Sequence, residues 1–469
     1  MVNKKLKSIP MKFFKIKTNT LETCKYINGK PRIITICILL AMGLMTCIFG
    51  LKTSPDSFAY IDGAKNILHY HSYNYDANGL PITLFPPGYS IIIASLFSIF
   101  GYYVYPLILL NTTIFIVLIF KYIKYNNYAN NYLFFSVLCI LTNILISNYS
   151  MILSETIFIP LFLIWFNISI RQNNNVKYKF LILFLEILMI STRYASILLI
   201  FSFYTIQFYY IIRTPNKINY KFQKVLQTFW IPAISLLFFV LLRKIISNGG
   251  PQHHFVIGSG KYNILEYPIQ LIKDIGTTIL GQASSFQLEQ RGLLFLISCV
   301  MIIAIRKFVK ITIDTFTFNF ILISILVTII FLSNVWVDDS MNGRYLVWLW
   351  ITLLYRAKFE IRKNEAYTKI FFICIILTQL INLNYFNYKA VKSNFAIQNT
   401  VTEKNKINFS NQIPQNTSLK VGIYYTDSTN FGTLSNNGNG KLLLTSPCYL
   451  WNLIQKNDTN QRPQSKTLD

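Results

Sequence analysis

The chain has 469 residues, of which 53% are hydrophobic and only 13% charged, with a positive mean hydropathy. A soluble domain of that length cannot hide so much apolar side chain, so the excess must face lipid and a soluble globular protein is excluded. The net charge of +26 does not point to nucleic acid, because no soluble basic domain is apparent and Lys and Arg collect on the cytoplasmic loops of membrane proteins.

In chain order, residues 1–30 form a basic cytoplasmic leader carrying Lys4, Lys5, Lys7, Lys12, Lys15 and Lys17. No small-residue cleavage pattern follows Leu51, so Pro31–Leu51 is expected to be a retained first span rather than a signal peptide. Further apolar runs long enough for a membrane helix cover roughly 104–122, 131–148, 152–170, 180–192, 194–212, 226–247, 292–308, 313–333, 345–355 and 369–384. The expectation is an α-helical polytopic membrane protein with about eleven transmembrane helices, occupying 31–384. With the leader inside, every later basic cluster also falls inside, from Lys121/Lys124 through Arg171/Lys177/Lys179 and Arg306/Lys307/Lys310 to Arg356/Lys358/Arg362/Lys363. That alternation requires PPGYSIIIASLFSIFG, 86–101, to be a juxtamembrane or re-entrant helix, and about fourteen residues is short for a crossing. The outer face then receives loops 52–103, 248–290 and 334–344 and a region from 385 to 469.

The first outer loop opens TSPDSFAYIDGAKNI. Ser54 as N-cap, Pro55 at the first position and Asp56 in the first turn start a helix, and Phe58, Ile61, Ala64 and Leu68 recur at helical spacing. This predicts an amphipathic helix on the membrane surface, in which Asp56 is either a partner of the helix dipole or a chemically active carboxylate, and Asp62 is a solvated-face residue. An aromatic and polar run follows, HYHSYNYDANGLPITLFPPGYS.

Downstream, Glu155 stands inside an apolar span, where a carboxylate is costly, and either pairs with an outer Arg and shapes a site or stabilises a helix start beside Ser154. Arg193, Arg243, Lys244 and Arg344 are basic residues at outward span ends, against the usual bias. Arg344-Tyr345 is either an interface anchor or an anion site. His253-His254 with Asp338-Asp339 are adjacent pairs that do not converge on one ion, and His69 and His71 can share a side of an extended segment but find no further ligands at suitable spacing; no cofactor is required, and a divalent metal stays an open alternative that the sequence does not support. The seven cysteines indicate no disulfide framework. The tail is rich in Asn, Thr, Ser and Gln, with strand-like SLKVGIYY (418–425) and LLLTS (442–446), and is expected to form a small α/β module with flexible ends.

The order of these features resembles the membrane glycosyltransferases of the GT-C superfamily, which include protein O-mannosyltransferases and the enzymes that put aminoarabinose on lipid A. Their first loop has the form D-S-x-x-Y-x-x-A-x-x-L … G-x-P-x-x-x-x-P-P-x-Y-P, to which this chain supplies Asp56, Ser57, Tyr60, Gly79, Pro81, Pro86, Pro87 and Tyr89 at that spacing, with Ala64 and Leu68 one and two residues further along than it sets. It departs around Tyr89, where the family often has Leu and Pro and this chain has Gly88 and Ser90. LSETIFIPL (153–161), STRYASILL (191–199) and NGRYLVWLW (342–350, without the family's Pro) are similar to later segments. The resemblance covers roughly residues 30–385. It implies transfer of a sugar from a polyprenyl-phosphate donor to a lipid, glycan or protein acceptor, with Asp56 as base and inversion at the anomeric carbon. It further implies Arg344, Arg193 and Lys244 on the donor phosphate, and Tyr60, Tyr89, Glu155 and Tyr345 about the substrates. Composition suggests a bacterial inner membrane, with the N-terminus cytoplasmic and the C-terminus outside. Two rivals remain: a transporter or flippase of lipid-linked saccharides, although no duplicated halves are visible, and a saccharide ligase or polymerase.

Overall fold

The computed structural model describes residues 55–246 and 266–402 apart from short connections (74–81, 83–84, 102, 104, 126–129, 150–152, 172–175, 216–217, 335–345 and 363–365), together with scattered positions between 33 and 44 and three strands between 422 and 445. The chain is mostly helical, as its apolar runs require, and six helices are long and apolar enough to cross a membrane. In the numbering used below these are α3 (Tyr105–Tyr125), α4 (Asn131–Tyr149), α7 (Ser196–Arg213), α8 (Ile218–Ile246), α12 (Thr315–Asn334) and α14 (Ala366–Thr402). Other expected spans form shorter helices: α5 (Glu155–Ile170), α6 (Val176–Thr192), α11 (Leu294–Phe308) and α13 (Val347–Arg356). The first expected span, 31–51, lies mostly outside the described residues, and its described positions between 33 and 44 are helical. The remaining helices are α1 (Pro55–Tyr70), α2 (Gly88–Phe100), α9 (Tyr267–Leu280) and α10 (Gln282–Gln290).

The two ends of the bundle are distinguishable. At one end the loop after α11 and the loop after α13 pair as an antiparallel ribbon, β1 (Val309–Thr312) with β2 (Lys358–Ile361), in register Val309 to Ile361. Beside it Asp314 caps α12, accepting from the Thr317 amide (2.9 Å) and hydroxyl (2.7 Å), and its second oxygen lies 3.4 Å from Arg356. Arg356 also donates to Asn167 near the end of α5, and the Tyr355 hydroxyl donates to the Leu118 carbonyl of α3 at 2.8 Å. The C-terminal ends of α3, α5 and α13 and the start of α12 therefore share the ribbon end. The starts of α5 and α13, the α6–α7 turn and the close of α12 share the opposite one.

Two large apolar cores fill the bundle, and a smaller one joins α1, α2 and the start of α3. Of the large ones, one joins α3, α4, α13 and α14; the other joins α5, α6, α7, α12 and α13 and is dense in aromatic rings, with Trp165, Phe166 and Phe203 enclosed around Phe320. In the first, Asn143 donates to Gln379, Gln379 donates to the Thr278 and Ile279 carbonyls that end α9, and Asn382 donates to Asn143. Those side chains satisfy helix-end groups that would otherwise be buried unpaired.

Helix α2 has thirteen residues, about 20 Å of rise, which is too short to cross a layer of about 30 Å. It packs along α1, and Gly101 at φ +77° ends it. The sequence pattern predicts α1 to lie on the membrane surface with one solvated face. Instead Ser57, Ala59, Tyr60, Ile61, Ala64, Lys65 and Asn66 are all buried, Asp62 is half-buried, and among the side chains described only His69 and Tyr70 at its end are exposed. Small residues on several sides, Ser57, Ala59, Gly63 and Ala64, let neighbours close around it; a Cβ on Gly63 would meet the Tyr73 ring at 2.6 Å and Ile82 at 2.9 Å.

α14 continues past its expected end at 384, because no Gly or Pro interrupts 385–402. β3 (Gly422–Asp427), β4 (Asn430–Asn436) and β5 (Leu442–Thr445) form an antiparallel meander in the order β3-β4-β5. β4 was not expected from the sequence.

Candidate functional site

The end opposite the ribbon gathers residues from widely separated segments. Ser154 and Glu155 open α5, and Pro160 within that helix has no N–H to give the Thr156 carbonyl. The Tyr149 hydroxyl supplies that bond at 3.2 Å, while the Tyr149 carbonyl at the end of α4 accepts from Asn111 at 2.8 Å. The missing proline donor thus locks the start of α5 to α3 and α4.

Glu155 is wholly enclosed, and one carboxylate oxygen, Oε1, is paired with Arg193 Nη1 from the α6–α7 turn. The other accepts from the Ser154 hydroxyl at 3.3 Å, and Ser154 in turn accepts from the Tyr60 hydroxyl of α1 at 3.0 Å. The Tyr60 ring meets Tyr89 edge-on at 5.1 Å and Phe85 at 5.1 Å. The Tyr89 hydroxyl, fully buried, faces Thr156, yet neither hydroxyl completes a hydrogen bond among the described residues. Burial holds the Tyr89 phenol above its ordinary range, so it stays neutral. α2 reaches this cluster at a close contact: a Cβ on Gly88 would sit 2.5 Å from the Ser191 carbonyl oxygen at the end of α6.

Arg193 keeps 13% of its side chain exposed and lines a cleft. Phe158 of α5, Leu198 and Leu199 of α7, Phe331 and Leu332 of α12, and Val347 and Trp348 of α13 form the apolar walls, with Ala195 and one hydroxyl residue, Thr328. The slot is narrow, and the guanidinium at its edge suits an anionic group. Next to it, Arg243 of α8 stacks at 5.4 Å over Tyr194, which meets Phe239 edge-on at 5.6 Å.

The structure brings Tyr60, Tyr89, Glu155 and Arg193 together. Tyr60 and Tyr89 pack on each other and are buried. Asp56 is the second residue of α1, one turn before Tyr60. Lys244 is exposed in the last turn of α8 beside Arg243. Arg344 and Tyr345 lie outside the described residues, in the segment joining Leu332 and Val347 on two walls of the cleft. His253, His254, Asp338 and Asp339 also lie outside them, and no cluster of three or more metal-ligating side chains occurs among the described residues.

A comparison with protein-family models, with curated proteins and with solved structures finds no match.

Two buried carboxylates escaped the sequence reading. Glu186 of α6 accepts from Trp165 (3.1 Å), Tyr204 (2.9 Å) and Ser235 (2.6 Å), tying α5, α7 and α8 around one residue. Its signal was available: a lone acid in the apolar run KFLILFLEILMI. Asp274 of α9 accepts from the Trp350 indole of α13 at 3.2 Å, and burial pushes its carboxyl up to about 7.

Proposed function

We propose that the chain is an integral-membrane glycosyltransferase that moves a sugar from a polyprenyl-phosphate donor to a lipid, glycan or protein acceptor at the outer face of a bacterial inner membrane. One observation carries this reading. Segments far apart in the sequence, each holding residues of the GT-C-like pattern, converge on one end of the bundle, where Arg193 stands at the mouth of an otherwise apolar cleft. In this reading the chain crosses the membrane eleven times, the ribbon end with Lys310, Arg356 and Lys358 faces the cytoplasm, and the cleft end faces out.

The donor phosphate then sits against Arg193, with Arg344 and Lys244 as its further cationic partners, and its prenyl chain follows the apolar walls toward lipid. The acceptor hydroxyl oxygen attacks the anomeric carbon while the bond from that carbon to the phosphate oxygen breaks, with inversion. The hydroxyl proton passes to the Asp56 carboxylate, and polyprenyl phosphate leaves as an anion held by the guanidinium groups. Tyr345 offers a ring face to the sugar.

Lipid bound to the purified protein, weighed by mass spectrometry, tests this. The expected finding is a polyprenyl monophosphate, retained by the wild type and lost from Arg193→Ala and Arg344→Ala. Retention of bulk phospholipid alone, equally in all three proteins, contradicts the reading.

A further inference from the structure

We infer that Glu155 is a positioning residue, linking the cation of the cleft to the helix that carries Asp56 through the directed chain Tyr60 to Ser154 to Glu155 to Arg193. The inference rests on the transferase reading above and assigns to Glu155 a role other than contact with substrate.

The direction of the chain follows from donor counts. The Ser154 hydroxyl has one proton, which it gives to Glu155 Oε2 at 3.3 Å, and its oxygen accepts the Tyr60 proton at 3.0 Å. Arg193 occupies Oε1. With both oxygens engaged and no exposed surface, Glu155 cannot take a proton from an acceptor hydroxyl or touch a sugar. What it can do is act at both ends of the chain. At one end it fixes the guanidinium at the cleft wall, and its own negative charge weakens the pull of that guanidinium on an incoming anion. At the other end Ser154 and Tyr60 set the rotation of α1. Asp56 lies one turn before Tyr60 in that helix, and Phe85 and Tyr89 hold the Tyr60 ring in place. Placement of a base to within a fraction of an ångström governs its efficiency, so a bond that fixes the helix should appear in turnover rather than in donor affinity.

Two conservative variants separate these ends. Glu155→Gln can still accept from Arg193 through its carbonyl oxygen, but its amide turns a donor toward Ser154, whose own proton then loses its acceptor, so the variant removes the charge and disturbs that one bond. Tyr60→Phe keeps the ring and leaves the ion pair untouched, but cuts the bond to Ser154. The full chain in lipid nanodiscs is titrated with farnesyl monophosphate, read by tryptophan fluorescence because Trp348 lines the cleft. Sugar transfer is measured in parallel with a polyprenyl-phosphate sugar that the wild type accepts.

Glu155→Gln should bind farnesyl phosphate about tenfold more tightly, the size expected when one unit charge leaves a partly wet site, while transferring sugar more slowly. Tyr60→Phe should bind within twofold of wild type and lose at least tenfold in transfer. A general loss of folding would weaken binding and turnover together and cannot produce either pattern. If the wild type binds but Glu155→Gln binds equally or less tightly, or Tyr60→Phe transfers at the wild-type rate, the positioning role is overturned while the transferase reading stands. If the wild type itself ignores the phosphate, the transferase reading fails and this inference falls with it.

Discussion

Replacing Asp274 by Asn should remove a pH dependence from the stability of the whole protein. Asp274 of α9 is nearly enclosed and has the Trp350 indole of α13 as its hydrogen-bond donor, at 3.2 Å. Burial pushes its carboxyl up from 3.8 to about 7. The folded state therefore holds the proton more tightly than the unfolded chain does. Its contribution to stability is complete below the unfolded value of about 3.9 and is lost as pH rises through about 7. At about 1.36 kcal/mol per pH unit, the wild type should lose on the order of 3 kcal/mol between pH 5 and pH 7 from this group. Asn can still accept from Trp350, so the variant keeps the bond and loses only the titration. Unfolding midpoints of both proteins in the same detergent at pH 5, 6, 7 and 8 provide the assay. The variant should gain on the wild type as pH rises, and the gap should level off above pH 7. A gap that stays flat across the series refutes the assignment of an uncompensated buried carboxyl.

Three further outcomes follow from the geometry. Arg193→Ala leaves the enclosed Glu155 carboxylate without its cation and should cost about 3–5 kcal/mol, whereas adding Glu155→Gln should restore much of that loss; equal unfolding midpoints for single and double variants would contradict the pairing. Tyr204→Phe removes one of three donors from Glu186 and should destabilise by about 1–3 kcal/mol, and the same change in a Glu186→Leu background should cost far less. Gly88→Ala forces a Cβ to 2.5 Å from a backbone oxygen of α6 and should cost about 1–3 kcal/mol, seen as faster proteolysis of the α1–α2 region; wild-type resistance would place α2 elsewhere.

Much of the helical plan was legible because lipid imposes one rule, a long apolar run with its backbone satisfied internally, and 131–148 and 194–212 became α4 and α7 almost residue for residue. The shortness of α2 was also legible from its length. Burial of α1 was not, because Phe58, Ile61, Ala64 and Leu68 read as one apolar stripe, while the small residues on its other sides, which admit neighbours, carry no periodic signal. Glu155 could be singled out by its cost in an apolar run, but its closure with Ser154 and Tyr60 joins residues 94 positions apart, beyond any local pattern. Asp274 was hidden for a similar reason: in an amphipathic loop helix an acid reads as solvated, and only tertiary packing, chiefly against α11, encloses it. The ribbon had a readable signal in the alternation of VKIT and KFEI, overshadowed by the basic residues that mark those loops as turns.

Sugar transfer in proteoliposomes, followed as the release of free polyprenyl phosphate by phosphorus NMR, addresses the central claim most directly. With a panel of polyprenyl-phosphate hexoses and pentoses and a hydroxyl acceptor, the wild type should release the carrier phosphate from at least one donor, and Asp56→Asn should not. Carrier release by Asp56→Asn at the wild-type rate, or movement of the intact donor across the membrane without breakage of the sugar–phosphate bond, would contradict it.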